Sequence, residues 1–132
     1  MHKLSLLTLL LLTAGAASAQ QQPAQVQVNP LFSKPLAEHP GKEAVVIEVV
    51  YPPGGGDPVH RHNAHGVVYV LEGSIVMGVR GGEPVTLTPG QIFYEGPDDL
   101  HTVGHNASRS EPARFLVFLL KQQDEPILTP EQ

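Results

Sequence analysis

The residues of this sequence best suited to chemistry are its histidines. Seven occur in 132 residues, and five of them (His60, His62, His65, His101 and His105) fall in one central stretch. One residue separates His60 from His62, so on an extended chain both imidazoles project from the same face. Each can offer one ring nitrogen to a metal while an acceptor holds the other. His101 opens another strand after the corner Gly96-Pro97-Asp98-Asp99, and it meets the first pair only if the sheet curls. A lone histidine is more often a hydrogen-bonded or surface residue. An H-x-H pair with a third histidine behind a Gly-Pro turn is a stronger signal, and on residue types alone a shared metal and ordinary hydrogen bonding both stay open.

Composition narrows what surrounds these residues. The absence of cysteine excludes a disulfide framework, a thiolate zinc site and a cysteine nucleophile. A net charge of -5 without basic clusters speaks against a nucleic-acid partner. Thirteen glycines and thirteen prolines in a chain of single-domain length suit many short strands joined by turns. They show no three-residue period, which excludes collagen.

The first 19 residues read as an address. A basic start (Met1-His2-Lys3) precedes the apolar run Leu4 to Leu12 and a small-residue stretch ending Ala17-Ser18-Ala19, the pattern of a secretory signal peptide cleaved after Ala19. The apolar run is shorter than the ~20 residues a spanning helix needs. The expected protein is therefore secreted or periplasmic, with no membrane attachment after cleavage. Residues 20–43 read as an extended lead-in whose Leu31, Phe32 and Leu36 tuck onto the core, residues 44–121 as the folded domain, and residues 122–132 as a polar tail that frays.

Within the domain, strand signals recur with a turn after each. They cover Ala44 to Tyr51, Val67 to Leu71, Ile75 to Val79, Val85 to Thr88, Ile92 to Glu95, His101 to Asn106 and Arg114 to Leu120. This predicts an all-β antiparallel sandwich or small barrel. Phe115 to Leu120 is apolar on both parities, so it needs cover on two faces, from the core and from a second sheet or a partner subunit.

Two segments resemble the paired motifs of the cupin family. The first runs Gly54, five residues, His60-Arg61-His62, three residues, Gly66, six residues, Gly73. The second runs Gly90, five residues, Gly96-Pro97-Asp98, two residues, His101, with His105 in the usual asparagine slot and Asn106 one place later. Sixteen residues separate Gly73 from Gly90, as in compact single-domain cupins. The resemblance covers roughly Val45 to Leu120. It implies a double-stranded β-helix (jelly-roll) barrel holding a divalent transition metal (Fe, Mn, Ni, Co or Zn), with His60, His62 and His101 as ligands.

The sequence departs from the family at Gly66, which stands where a metal-binding glutamate is expected. Three groups compete for the fourth position. Glu95, just before the Gly96-Pro97 corner, is the first choice, since a carboxylate in an apolar bowl needs a cation; if it is not a ligand, it is a candidate general base. His65 is the alternative, though its one-residue offset turns it to the opposite face unless a bulge intervenes. Water is the third. His105 reads as a rim or surface residue, Tyr69 and Tyr94 as packing residues, with the rim as the alternative for Tyr94, and Asp98 and Asp99 as corner formers. Asn106-Ala107-Ser108 matches a glycosylation sequon.

The resemblance implies a metal-dependent enzyme on a small organic substrate, a dioxygenase with a redox metal or a Lewis-acid isomerase or hydrolase with zinc or nickel. A module that binds a ligand or metal without turnover, and a barrel with a vestigial site, are the competing classes. The family also implies a homodimer.

Overall fold

The computed structural model describes residues 24–132, so the expected signal peptide lies outside the described residues. Ten strands run β1 (Gln27–Pro35), β2 (Lys42–Tyr51), β3 (His60–Arg61), β4 (Ala64–Glu72), β5 (Ile75–Val79), β6 (Val85–Leu87), β7 (Ile92–Glu95), β8 (His101–Asn106), β9 (Ala113–Gln122) and β10 (Thr129–Pro130). They form two five-stranded sheets, ordered β1-β2-β9-β4-β7 and β10-β3-β8-β5-β6. All pairings are antiparallel. This is the expected all-β jelly-roll barrel.

Alternation fixes which residues enter the barrel. On β2 and β9 the odd positions Val45, Ile47, Val49, Tyr51, Phe115, Val117 and Leu119 are buried, while on β4 the even positions Ala64, Val68 and Val70 are. Val50, Arg114 and Glu72 are among the residues turned outward at one end of this sheet, where Arg114 bridges Glu48 and Glu72 at 2.8 and 2.7 Å. At the other end, Lys121 enters the barrel at 3% exposure and its Nζ donates to Glu43 Oε1 at 2.7 Å. Burying an ammonium is tolerable only with such a partner.

The segments flanking the central domain depart from expectation. Residues 27–35 are extended and pair as an edge strand, but Leu31 and Phe32 do not tuck onto the core: they are 57% and 50% exposed. The register shift between Pro30 and Phe32 sets Phe32 opposite Val46, on the outward face. The tail does not fray. Thr129 and Pro130 pair with Arg61 and His60, and Glu131 N–H donates to the Val59 carbonyl at 2.9 Å.

Phe115 to Leu120 is covered on one face only, by the barrel interior. Phe118 and Leu120 remain 39% and 38% exposed. Reading across the sheet, Phe32, Val46, Phe118, Val67 and Tyr94 stand in one outward row. Tyr69 and Tyr94, expected to pack, are 42% and 56% exposed on this face.

Candidate metal centre

Two strands, and the link that follows the first, deliver the histidines. Short strand β3 carries His60, and His62 follows it. Asn63, at φ 47°, then makes the left-handed step into β4. β8 brings His101 directly opposite His60 in register. All three imidazoles are buried, at 1%, 8% and 3% exposure. One nitrogen from each lies within 4.8 Å of the others, a spacing suited to a single ion.

The outer nitrogens are already committed. His60 Nδ1 lies 2.7 Å from the Pro58 carbonyl and His62 Nδ1 lies 2.6 Å from the Ile127 carbonyl. A carbonyl only accepts, so each Nδ1 carries the proton and each Nε2 presents a lone pair. Those two Nε2 atoms face each other at 3.0 Å. Two lone pairs at that distance repel unless a proton or a cation stands between them. His101 Nδ1 joins them, 3.2 Å from His60 Nε2, while its Nε2 is buried without a partner. The donor set fits a divalent transition metal.

Glu95 enters the same cluster from β7. Its carboxylate lies 3.1 Å from His62 Nε2 and 3.4 Å from His101 Nδ1, at 2% exposure. Burial pushes its pKa up, but the hydrogen bond and charge of His62, with the other histidines, outweigh this and leave it below the usual carboxylate value. Burial pushes His62 down, but the hydrogen bond and charge of Glu95 hold it above the ordinary histidine value. His101 is held below, chiefly by burial.

His65 is not brought to this site. Its odd position on β4 turns it outward, where its Nδ1 meets Tyr94 Oη at 2.7 Å. No bulge intervenes near it, since the shift in the β4–β9 register falls between Val70 and Glu72. This removes His65 as the alternative fourth ligand. His105 also lies outside the cluster, exposed and paired with Val76 across β5. The β5–β8 register shift between Gly78 and Val79 lets His101 face inward while His105 does not.

Several site features gave little sign in the sequence. Tyr51, fully buried, donates its hydroxyl to Asp57 Oδ2, and burial with the Asp57 charge pushes its pKa up. Its odd position on an apolar strand was the available clue. Asn106 is 4% exposed. Its amide reaches the Pro52 and Glu111 carbonyls at 3.1 and 2.8 Å, which ties the loop after β2 to β8 and leaves no room for a glycan on the sequon. The Ile127 carbonyl carries no side-chain signature at all. At the corner, Asp99 accepts the Gly96 N–H at 2.7 Å, as expected of a corner former.

The cluster lines a cavity of about 330 Å³ whose other walls are almost wholly apolar. An all-β barrel with a buried three-histidine cluster beside such a cavity is a jelly-roll barrel with a candidate metal site. The sequence matches the cupin domain model over residues 47–119, and the chain belongs to the cupin family. No curated protein matches it. Among solved structures it is similar to a protein from Thermus thermophilus (26% identity, TM-score 0.59, covering 78% of this chain and 90% of that one). It is also similar to oxalate oxidase (21%, TM-score 0.62, 86% and 59%). A third is the DMSP lyase DddQ from Ruegeria pomeroyi (22%, TM-score 0.57, 66% and 42%). The chain thus spans about three-fifths of the oxidase and two-fifths of the lyase, and at these identities the two enzymes share its fold.

Proposed function

We propose that this chain is an exported metal-dependent enzyme of the oxygenase type, acting on a small organic molecule. His60, His62, His101 and Glu95 would hold the metal. The observation that carries this reading is the pair of Nε2 lone pairs, from His60 and His62, facing each other at 3.0 Å. Their protons are fixed on the far nitrogens by the Pro58 and Ile127 carbonyls, which leaves the inner nitrogens ready for a cation.

A bound divalent ion would supply either a redox centre or a Lewis acid. The chain's own residues do the rest. The Pro58 and Ile127 carbonyls orient two imidazoles. Glu95 balances the charge of the site as a ligand; were it not a ligand, it would be the carboxylate placed to accept a proton from the substrate. The apolar walls exclude water from the reacting end.

The test is metal analysis of untagged protein purified without added metal, followed by titration with Fe, Mn, Ni, Co and Zn. Close to one ion per chain is expected. Well under one ion, with none taken up on titration, overturns the reading. Oxygen uptake with diketone and phenolic substrates then separates an oxygenase from a module that binds without turnover.

The outward apolar row supports a second reading, that the face β1-β2-β9-β4-β7 pairs with the same face of a second copy. Lys34 and Lys42 lie to one side of the row. Glu48 and Glu72, sharing the single Arg114, lie to the other. A two-fold axis along the row sets the basic side of one copy over the acidic side of its partner.

A further inference from the structure

The cavity beside the histidine cluster is chemically one-sided. Its polar lining is limited to His60, His62, His101, Glu95 and Asp57. The rest is aliphatic or aromatic, including Ile47, Val49, Met77, Phe115 and Val117. Among the described residues, no lysine, arginine, amide or hydroxyl side chain lines it. Asp57 is already engaged by the Tyr51 hydroxyl, so it offers an anionic group only repulsion. A ligand here can anchor one polar head at the cluster, but a second charge on it would be buried against apolar walls with no counter-ion.

Resting on the metal reading above, we infer that this site selects small molecules with a single chelating head and an uncharged, apolar remainder, and rejects those charged at both ends. Val28, 44% exposed on edge strand β1, sits opposite Val49 and is the lining residue most open to solvent, which places it at the cavity mouth. Its position makes it a specificity-determining residue that can be changed without opening the core.

The test holds the head constant and varies the tail. Zinc-loaded full-length protein, its zinc counted first, is titrated by calorimetry with acetohydroxamate, hexanohydroxamate and adipic acid monohydroxamate. Affinity is expected to rise about tenfold or more from the first to the second as methylene groups are buried. The third, carrying a terminal carboxylate, should lose that gain. Val28→Lys should restore the third relative to the second by placing an ammonium at the mouth. Equal binding of all three, or tightest binding of the carboxylate-tailed probe by the unaltered protein, overturns the inference while leaving the metal reading intact. A chain that takes up no zinc overturns the metal reading instead. In that case hexanoate against adipate reads the tail preference directly, and equal affinities overturn it.

Discussion

Gly66 and Glu95 stand directly opposite each other across β4 and β7, and the glycine's missing side chain is the space the glutamate uses. A Cβ at residue 66 would lie 3.0 Å from Glu95 Cγ and 3.2 Å from its Oε1. On the proposed metal reading, Glu95 supplies from β7 the carboxylate that the cupin resemblance implies at residue 66 on β4, and the glycine leaves the room for it. Gly66→Glu alone should therefore crowd the site, at a cost of about 1–3 kcal/mol from overpacking, and lower metal uptake. Glu95→Val alone should lower metal affinity about tenfold or more. Combining the two should recover both melting temperature and metal stoichiometry. A Gly66→Glu protein that melts and binds metal like the parent would show that the two positions do not share one space.

The His62–Glu95 pair predicts how metal affinity responds to acid. Metal needs the His62 Nε2 lone pair, and the metal-free pKa of His62 is raised above 6.5. Affinity should therefore begin to fall at a pH above 6.5 and drop about tenfold per further unit, one proton competing for one site. In chelator-treated protein the same shifts act on folding. The contribution from raised His62 is complete below its unfolded value and is lost as pH rises through the folded one. The contribution from depressed Glu95 is complete above its ordinary 4.5 and is lost as pH falls through the folded value. For this pair alone metal-free stability is greatest between these limits, with the depressed His101 working against it below 6.5, and adding metal at about 1,000 times its Kd should raise stability by about 4 kcal/mol. Urea titrations across pH, with and without metal, would read both effects.

The C-terminal segment should act on the metal through His62. Ending the chain after Asp124 removes the Ile127 carbonyl from His62 Nδ1 and β10 from β3. Metal affinity should fall by about 10- to 100-fold with the far-UV circular dichroism nearly unchanged. Unchanged affinity would show that the carbonyl does not orient the imidazole.

The proposed pairing of outer faces predicts a dimer mass in light scattering. Phe118→Lys, at a position already 39% exposed, should give the mass of one chain with melting retained. A monomeric parent protein would refute the pairing.

Export predicts that protein recovered from a secreting host begins at Gln20. An N-terminal sequence still carrying residues 1–19 would refute it.

Much of this molecule was legible in the chain. Period-two apolar patterns bounded by Gly and Pro turns outline the central strands, because burying one face of a pleated sheet demands alternation. The same parity places His60 and His62 on one face and turns His65 to the other. The inward carboxylate of Glu95 was also readable, since an acid in an otherwise apolar strand end stands out. Sequence by itself thus determined the barrel class and the set of side chains able to meet.

What it could not determine depends on pairings between residues far apart in the chain. Only the folded barrel aligns Gly66 with Glu95 and sets Ile127 against His62, because register and backbone carbonyls leave no mark on residue type. Tertiary structure likewise decided that Phe32 lies in the outward row with Phe118, that Tyr51 meets Asp57, and that the tail joins a sheet. The physical reason is the same in each case. Local alternation says which way a side chain points, but only the closing of two sheets on one another says what it points at.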